Sequence, residues 1–258
     1  MRVVIASLKF LAFSLLCLIF VPPQIIILLF TKGDASRVLP MIWMKCVCFV
    51  FGIRVKISGA PHKREQIIVM CNHLSYLDIP VIGSVIGYSF VAKADVAKWP
   101  LFGFLAGLRQ TAYVVRGSSD PELASKGVEE CLRRGESLIV FPEGTSTDGQ
   151  SVIEFKTGIF ARALDAGVAD LKIQPACIKV MRVDGRMSVS QDDRDLYAWH
   201  RDMTTELPAH LWRFAKSHGA EMYVMFDTPI AVCDYDDRKM LAKDTHKAVS
   251  KGYENLVI

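Results

Sequence analysis

The hydrophobic and polar positions divide the chain into two parts of different texture. From Phe10 to Thr31 no residue is charged, and from Val38 to Ile53 the only charged residue is Lys45. Beyond Ile53, short apolar runs alternate with amphipathic stretches and turns. The first pattern is typical of helices in contact with a membrane, and the second of a water-soluble domain. We therefore predict a membrane-associated helical segment at 1–53 and a soluble domain at 54–258.

The apolar stretch Phe10–Phe30 has about the 20 residues that a membrane-spanning helix needs. Pro22 and Pro23 lie in its middle, and two consecutive prolines remove two backbone donors, so a straight helix is expected to break there. The pattern fits a kinked transmembrane helix, one arm of a re-entrant hairpin or a cleaved signal peptide. No clear small-residue cleavage site precedes Lys32, which argues against the signal peptide. The shorter Val38–Ile53 is interfacial or the returning arm of a hairpin.

The remaining 205 residues alternate between runs typical of strands and runs typical of amphipathic helices. Strands are predicted at Arg54–Ser58, Gln66–Cys71, Ser89–Ala92, Thr111–Val115, Ser137–Phe141, Leu171–Val180 and Glu221–Phe226. Helices are predicted at Leu77–Val85, Trp99–Leu108, Pro121–Arg134, Thr157–Ala166, Pro208–Ser217 and Asp236–Tyr253. Because strands alternate with helices, the fold class predicted is α/β, a mixed β-sheet flanked by helices, behind an N-terminal apolar helical membrane anchor.

Charge is concentrated at the apolar end. The net charge of +4 combines +6 over residues 1–60 with −2 over the remainder. Nucleic-acid-binding proteins carry their bases in a stripe interleaved with aromatic residues. Here the bases flank apolar segments, which suits an anionic lipid surface. We expect a membrane surface as a partner and no nucleic acid.

Cysteine usage indicates the compartment. The seven cysteines have no regular spacing and form no C-x-x-C pair, so neither a disulfide framework nor a zinc site is predicted. Nothing in the sequence calls for a metal. Reduced thiols are the default, and we expect a protein of the inner (cytoplasmic) membrane whose soluble domain faces the cytoplasm.

Two segments that follow predicted buried strands carry candidate chemistry. The first runs from Asn72 through His73 to Asp78. Positions i and i+5 are about 140° apart on a regular helix, so contact between His73 and Asp78 requires a turn leading into a helix. There Asp78 could fix the tautomer of His73, leaving the other imidazole nitrogen to take a proton from a substrate hydroxyl. A lone histidine at a strand end is otherwise more often structural.

The second segment is Phe141-Pro-Glu143-Gly144-Thr145-Ser146, a polar turn at the end of a strand. Exposed backbone N–H groups and hydroxyls in such a turn could hold a phosphate or an acyl oxyanion. The alternative is an ordinary turn in which Thr145 or Ser146 caps the next element. The sequence has no G-x-G-x-x-G, P-loop or H-E-x-x-H motif, and its nearest approach to G-x-S-x-G fails at Asp148.

Together these residues resemble the PlsC-type glycerolipid acyltransferases, the family that contains the 1-acylglycerol-3-phosphate acyltransferases. Asn72, His73 and Asp78 match its first signature, N-H-x-x-x-x-D, and Phe141–Ser146 match its third, F-P-E-G-T-[SR]. The resemblance implies the glycerolipid acyltransferase fold over 54–258 and a catalytic dyad of His73 and Asp78. It also implies substrate contacts from the turn of the third signature, namely Glu143, Gly144, Thr145 and Ser146.

The family's second signature is a Gly-rich approach to an arginine that binds the phosphate of the acceptor. It corresponds to Gln110–Arg116, with Gln110 where glycine is usual. Arg116 is retained, and a guanidinium suits an anionic headgroup. Lys93 and Lys156 are further candidates for contact with that headgroup.

The resemblance implies a general-base reaction in which a lysolipid hydroxyl attacks an acyl thioester. The expected acceptor is 1-acylglycerol-3-phosphate, giving phosphatidic acid. The donor is acyl-CoA or acyl-carrier protein, each a substrate, and no cofactor is expected. Gln110 keeps a second acceptor open, a lyso-ornithine lipid. A non-catalytic membrane lipid-binding protein is the alternative from another class, although such a protein has no evident need for both His73 and Asp78.

Overall fold

The computed structural model describes residues 1–114 and 121–256. Its helices are α1 (Arg2–Phe30), α2 (Val38–Phe51), α3 (Asp78–Gly83), α4 (Pro100–Leu108), α5 (Pro121–Arg133), α6 (Gly158–Asp165), α7 (Gln191–Arg194), α8 (Leu207–Ala215) and α9 (Arg238–Asn255). Its strands are β1 (Ile53–Ser58), β2 (Ile67–Cys71), β3 (Ser89–Lys93), β4 (Ala112–Val114), β5 (Leu138–Val140), β6 (Lys172–Val183), β7 (Arg186–Met187), β8 (Ala220–Phe226) and β9 (Ile230–Ala231). Each predicted strand and helix of the soluble part is present, whereas the short β7, α7 and β9 were not predicted.

Within the described residues the strands form one mixed sheet, as predicted. The order is β1-β8-β6-β2-β5-β3-β4, and β7 and β9 pair with β6. The strands from β6 to β4 pair in parallel, while β8 runs antiparallel to β6. The carboxyl ends of β2, β5, β3 and β4 therefore meet at one edge of the sheet, which is where ligands bind in open α/β sheets.

Helices cover both faces of the sheet, as alternate residues of the buried strand β2 show. Ile67, Val69 and Cys71 belong to a core that also contains residues of α2, α3 and α8. Ile68 and Met70 belong to a second core, formed with residues of α5, α6 and α9. Since successive strand side chains point to opposite faces, a continuous apolar run is what a strand covered on both faces requires.

Helix α1 is continuous through Pro22 and Pro23, so the predicted break is wrong. Each proline removes only its own backbone donor, and the turns on either side remain bonded. Tertiary contacts then support the helix just beyond the prolines. The Gln24 side-chain amide is buried and donates to the carbonyls of Ser36 at 3.0 Å and Leu108 at 2.9 Å. These bonds hold the second half of α1 against the rest of the chain.

Helix α1 is a candidate membrane anchor. Its 29 residues are long and apolar enough to cross a membrane, and only 6% of its most apolar window is buried within the protein. A core helix of a soluble domain would be mostly covered, whereas large apolar side chains stay exposed here, among them Leu18, Ile19, Leu29 and Phe30. Whether α1 spans a membrane or forms one arm of a re-entrant hairpin stays a prediction.

Both N-terminal helices are bonded to the rest of the chain. The Lys9 ammonium donates to the carbonyls of Phe51 at 3.1 Å and Ser217 at 2.9 Å, next to the C-terminal ends of α2 and α8. Arg37, just before α2, is fully buried and forms ion pairs with Asp34 and Glu136. The helices are thus bonded directly to the elements that surround the sheet.

Candidate active site

The loop after β2 brings His73 and Asp78 together, as the sequence predicted. Helix α3 begins at Asp78, whose backbone N–H donates to the Ser75 carbonyl at 3.0 Å and closes the turn. The His73 Nδ1 and Asp78 Oδ2 atoms lie 2.8 Å apart. The turn therefore bridges the five positions that a regular helix would have kept apart. The contact is confirmed, and its catalytic role stays a prediction.

The surroundings of Asp78 fix the tautomer of His73. The carboxylate is fully buried; Oδ2 accepts the backbone N–H groups of Leu74 at 2.6 Å and Ser75 at 2.9 Å, and Oδ1 accepts the Tyr197 hydroxyl at 2.9 Å. Both carboxylate oxygens therefore act as hydrogen-bond acceptors here. The His73 Nδ1 then carries the proton and donates to Asp78. The Nε2 atom keeps its lone pair as an acceptor.

The imidazole of His73 borders a large cleft. Its ring stacks on Phe141, with centroids 4.2 Å apart and planes at 17°, and its side chain is 20% exposed. Phe141 stacks in turn on Phe90, so two aromatic rings support one face of the imidazole. Within the described part of the chain, Nε2 has no hydrogen-bond partner. The arrangement can accept a proton from a hydroxyl group in the cleft.

Glu143 lies in the turn after the neighbouring strand β5 and supports the loop that carries His73. Its buried carboxylate accepts the backbone N–H of His73 at 2.7 Å through Oε2 and that of Ile153 at 3.0 Å through Oε1. Burial raises the pKa of Glu143 to about 8, and the two backbone donors oppose that rise. Glu143 is absent from the described lining of the cleft. Its predicted contact with substrate stays a prediction.

The raised pKa of Glu143 predicts a pH-dependent stability. The folded carboxyl, with a pKa of about 8, binds more protons than the unfolded one, with an ordinary value of 4.5, so stability falls as pH rises between these values. Relative to Glu143→Gln, we expect the wild-type free energy of unfolding to fall by up to about 1.4 kcal/mol per pH unit in this window and to level off above it. Unfolding in detergent across the window measures this. The exposed neighbour variant Glu154→Gln is the control, and parallel wild-type and Glu143→Gln curves would contradict the raised pKa.

The turn after β5 presents small polar residues to the cleft. Gly144 has φ +70°, a left-handed conformation that favours glycine, and its N–H donates to the Phe141 carbonyl at 3.0 Å. Gly144, Thr145 and Ser146 all border the cleft. The helix that follows, α6, has Thr157 at its N-cap position, so neither Thr145 nor Ser146 caps it. The alternative of an ordinary turn, in which Thr145 or Ser146 caps the next element, is therefore not supported at α6.

The predicted cationic residues fall into two groups. Lys93 ends β3 and Lys156 lies just before α6; both are exposed and border the cleft. Their contact with an anionic headgroup stays a prediction. Arg116 lies outside the described residues. Among the described residues, no cluster of three or more histidine, cysteine or acidic side chains is placed to hold a metal ion.

The cleft itself has a volume of about 1320 Å³ and mostly apolar walls. Residues of α1, α2 and α4 form much of its lining, including Phe10, Phe13, Trp43, Met44 and Leu105. Its polar members include His73, the turn of the third signature and several charged side chains. An apolar cleft with a few convergent polar groups at one end is typical of sites for small molecules with an apolar part.

Sequence reasoning missed the role of Tyr197 and the bonds that Gln110 makes. Tyr197, which donates to Asp78, is 119 positions away in the chain, and no local pattern links the two. Gln110 has φ +59°, the left-handed conformation expected for the glycine usual at its position. Its side chain bonds to Ser36 and accepts the Gly33 N–H at 3.1 Å. Gln110 thus joins α4 to the link between α1 and α2.

Comparisons with known proteins identify the family. Residues 53–179 match the Acyltransferase family model. The lyso-ornithine lipid O-acyltransferase of Brucella abortus is 33% identical over 91% of this chain and 88% of its own length. That of Pseudomonas aeruginosa is 34% identical over 80% of this chain and 75% of its own. The 1-acyl-sn-glycerol-3-phosphate acyltransferase of Neisseria gonorrhoeae is 27% identical over 74% of this chain and 70% of its own.

The fold has a counterpart among solved structures. The crystal structure of the 1-acyl-sn-glycerophosphate acyltransferase PlsC from Thermotoga maritima superposes with a TM-score of 0.69. The match covers 99% of this chain and 98% of that one at 20% sequence identity, so it bears on the fold. It confirms the predicted mixed α/β architecture. The relatives described above show that the chain belongs to the acyltransferase family and is an enzyme that acylates lysolipids.

Proposed function

We propose that the enzyme transfers an acyl group from an acyl thioester to the hydroxyl of a lyso-ornithine lipid, with His73 as general base. The observation that supports this chemistry is the His73 imidazole, whose orientation and tautomer are fixed by Asp78. Asp78 Oδ2 lies 2.8 Å from Nδ1 of His73, and the imidazole borders a cleft large enough for an acyl chain. A hydroxyl within hydrogen-bond reach of Nε2 can give up its proton as it attacks.

The reaction is a direct transfer. The acceptor oxygen attacks the thioester carbonyl carbon while its proton passes to Nε2 of His73. The tetrahedral intermediate then collapses, the carbon–sulfur bond breaks, and the thiolate takes the proton back from the imidazolium. The products are the acylated lipid and a free thiol. Asp78, buried beside Nδ1, stabilises the imidazolium between the two proton transfers, and the stacked Phe141 ring adds a cation–π contact.

The turn of the third signature is suited to the negative charge of this intermediate. Thr145 and Ser146 border the cleft, with hydroxyl groups that can donate hydrogen bonds. Donors fixed in place before the reaction stabilise developing charge without reorganising. Lys93 and Lys156, at the same end of the cleft, are the candidates for contact with anionic groups of either substrate.

The relatives favour the ornithine acceptor over the glycerophosphate one that the sequence placed first. The lyso-ornithine lipid O-acyltransferases named above share 33 and 34% of their residues with this chain, against 27% for the relative named for 1-acylglycerol-3-phosphate. Gln110 agrees with this choice, because it departs from glycine in the signature that leads to the phosphate-binding arginine.

A comparison of the two acceptors tests the proposal. We expect purified enzyme to release free thiol from acyl-CoA, or from acyl-carrier protein in a parallel series, when lyso-ornithine lipid is added. The expected kcat/KM exceeds that for lysophosphatidate at least tenfold, the factor that about 1.4 kcal/mol of transition-state binding gives. Faster turnover of lysophosphatidate would contradict the acceptor. Absence of turnover with both acceptors and both donors would contradict the proposed reaction.

A further inference from the structure

A second group of titratable side chains lies in the segment 195–202, beyond the residues that the family model matches, and two of them, His200 and Arg201, border the cleft. His200 lines the cleft, and its side chain is only 10% exposed. Among the described residues, neither of its ring nitrogens has a hydrogen-bond partner. A buried polar group without a partner costs free energy. An unpartnered imidazole in the wall of a substrate cleft therefore indicates that the substrate supplies the partner.

The segment that carries His200 is fixed against the loop of the proposed base. The backbone N–H of Trp199 donates to the Leu74 carbonyl at 3.0 Å, one residue beyond His73. The His200 carbonyl accepts the Met203 N–H at 3.0 Å and closes a turn. His200 and His73 thus border one cleft from adjoining segments. A headgroup near His200 belongs to a lipid whose hydroxyl can lie near His73.

Two acidic side chains and one basic side chain surround His200, and the basic one, Arg201, also borders the cleft. Its Nε2 lies 3.5 Å from Asp195 Oδ1, and its Nδ1 lies 3.9 Å from Asp202 Oδ2; neither contact is a hydrogen bond. Asp195 is held in place by the Gln191 side chain, and its carbonyl lies 3.1 Å from His210 Nε2. Asp202 is exposed and faces Arg201 at 3.5 Å. The inner pair is therefore His200, which lines the cleft, and Asp195, whose carboxylate lies next to His200 but outside the described lining.

We propose that His200 and Asp195 bind the primary ammonium of the acceptor's headgroup, an inference that rests on the proposed lyso-ornithine substrate. The side-chain amine of ornithine is an alkylamine like that of lysine, so it is protonated near neutral pH. It offers three N–H donors to the imidazole nitrogen and the carboxylate oxygen. A phosphate headgroup lacks these donors and brings negative charge, which Asp195 repels, while the positive charge of Arg201 is opposed by the nearby Asp202. This site therefore distinguishes the two acceptors by charge.

The test uses the full-length enzyme in detergent micelles, with acyl-CoA or acyl-carrier protein as donor, and two acceptors. One is lyso-ornithine lipid, and the other is the same lipid with its side-chain amine acetylated. For the wild type we expect KM to be about tenfold higher for the acetylated lipid, as for loss of a charge-assisted contact. His200→Ala and Asp195→Asn are expected to raise KM for the free amine about tenfold and to abolish the difference, with KM for the donor unchanged.

The controls separate the possible outcomes. Asp192→Asn removes a charge from α7 at an exposed position outside the described lining of the cleft, and it should leave every constant unchanged. If His200→Ala has a lower thermal midpoint than the wild type, His200→Gln, which keeps polar atoms, is used in its place. Variants that keep the wild-type preference for the free amine would overturn the ammonium site alone. A wild type that acylates lysophosphatidate and not lyso-ornithine lipid would overturn the proposed acceptor and the ammonium site together.

Discussion

Substitution of His73 by alanine is expected to remove acyl transfer while the protein remains folded and membrane-associated. General-base catalysis contributes about 10²- to 10⁴-fold, so kcat should fall by at least that factor. The fold should survive because Asp78 keeps three of its donors, the backbone N–H groups of Leu74 and Ser75 and the Tyr197 hydroxyl. Thiol release with lysolipid present measures the loss.

A matched histidine variant makes this result specific. His218 is exposed and lies outside the described lining of the cleft, so His218→Ala should keep wild-type turnover. Thermal midpoints and membrane fractionation of both variants show whether fold and localisation persist. Substantial turnover by His73→Ala, under conditions in which the wild type is saturated, would exclude His73 as the base.

Substitution of Asp78 by asparagine is expected to produce the second large loss. Asparagine keeps the shape of the side chain and can still accept the His73 Nδ1–H, but it removes the negative charge that stabilises the imidazolium. A change of this kind beside a catalytic histidine has been worth about 10⁴-fold in kcat elsewhere. Here we expect a fall of about 10²- to 10⁴-fold, with KM for the lysolipid unchanged because Asp78 is fully buried behind His73.

Tyr197→Phe is a milder change that affects the same carboxylate as Asp78→Asn. It keeps the Asp78 charge and removes only the 2.9 Å hydrogen bond to Oδ1. The expected loss in kcat is about tenfold, the equivalent of one hydrogen bond to a charged group. Wild-type kcat in Asp78→Asn would assign the carboxylate a purely structural role. Equal losses in the two variants would show that the orientation of Asp78 matters more than its charge.

The sheet was predictable because most of its strands are apolar runs bounded by turn residues. β2 is the clearest example, since all five of its residues are buried between two helical layers. The contact between His73 and Asp78 was also predictable, because only a turn into a helix can join positions five apart. The candidate residues after β2, β3 and β5 then meet because these strands are parallel neighbours.

The parts that could not be predicted depend on distant contacts. Tyr197 and His200 reach the site from beyond β6, and neither carries a local pattern. The continuity of α1 depends on Gln24, whose acceptors lie 12 and 84 positions away. Helix propensity accounts for the two prolines but not for these tertiary hydrogen bonds.

The bonds of Lys9 to Phe51 and Ser217 have a consequence for how the enzyme meets its substrate. Because α1 is bonded to the soluble domain and also lines the cleft through Phe10 and Phe13, anchor and cleft share one surface. With α1 in a bilayer, a lysolipid reaches the cleft by lateral diffusion, without leaving its leaflet. The quantity that governs turnover is then the surface density of lysolipid among the other lipids, and the bulk aqueous concentration becomes secondary.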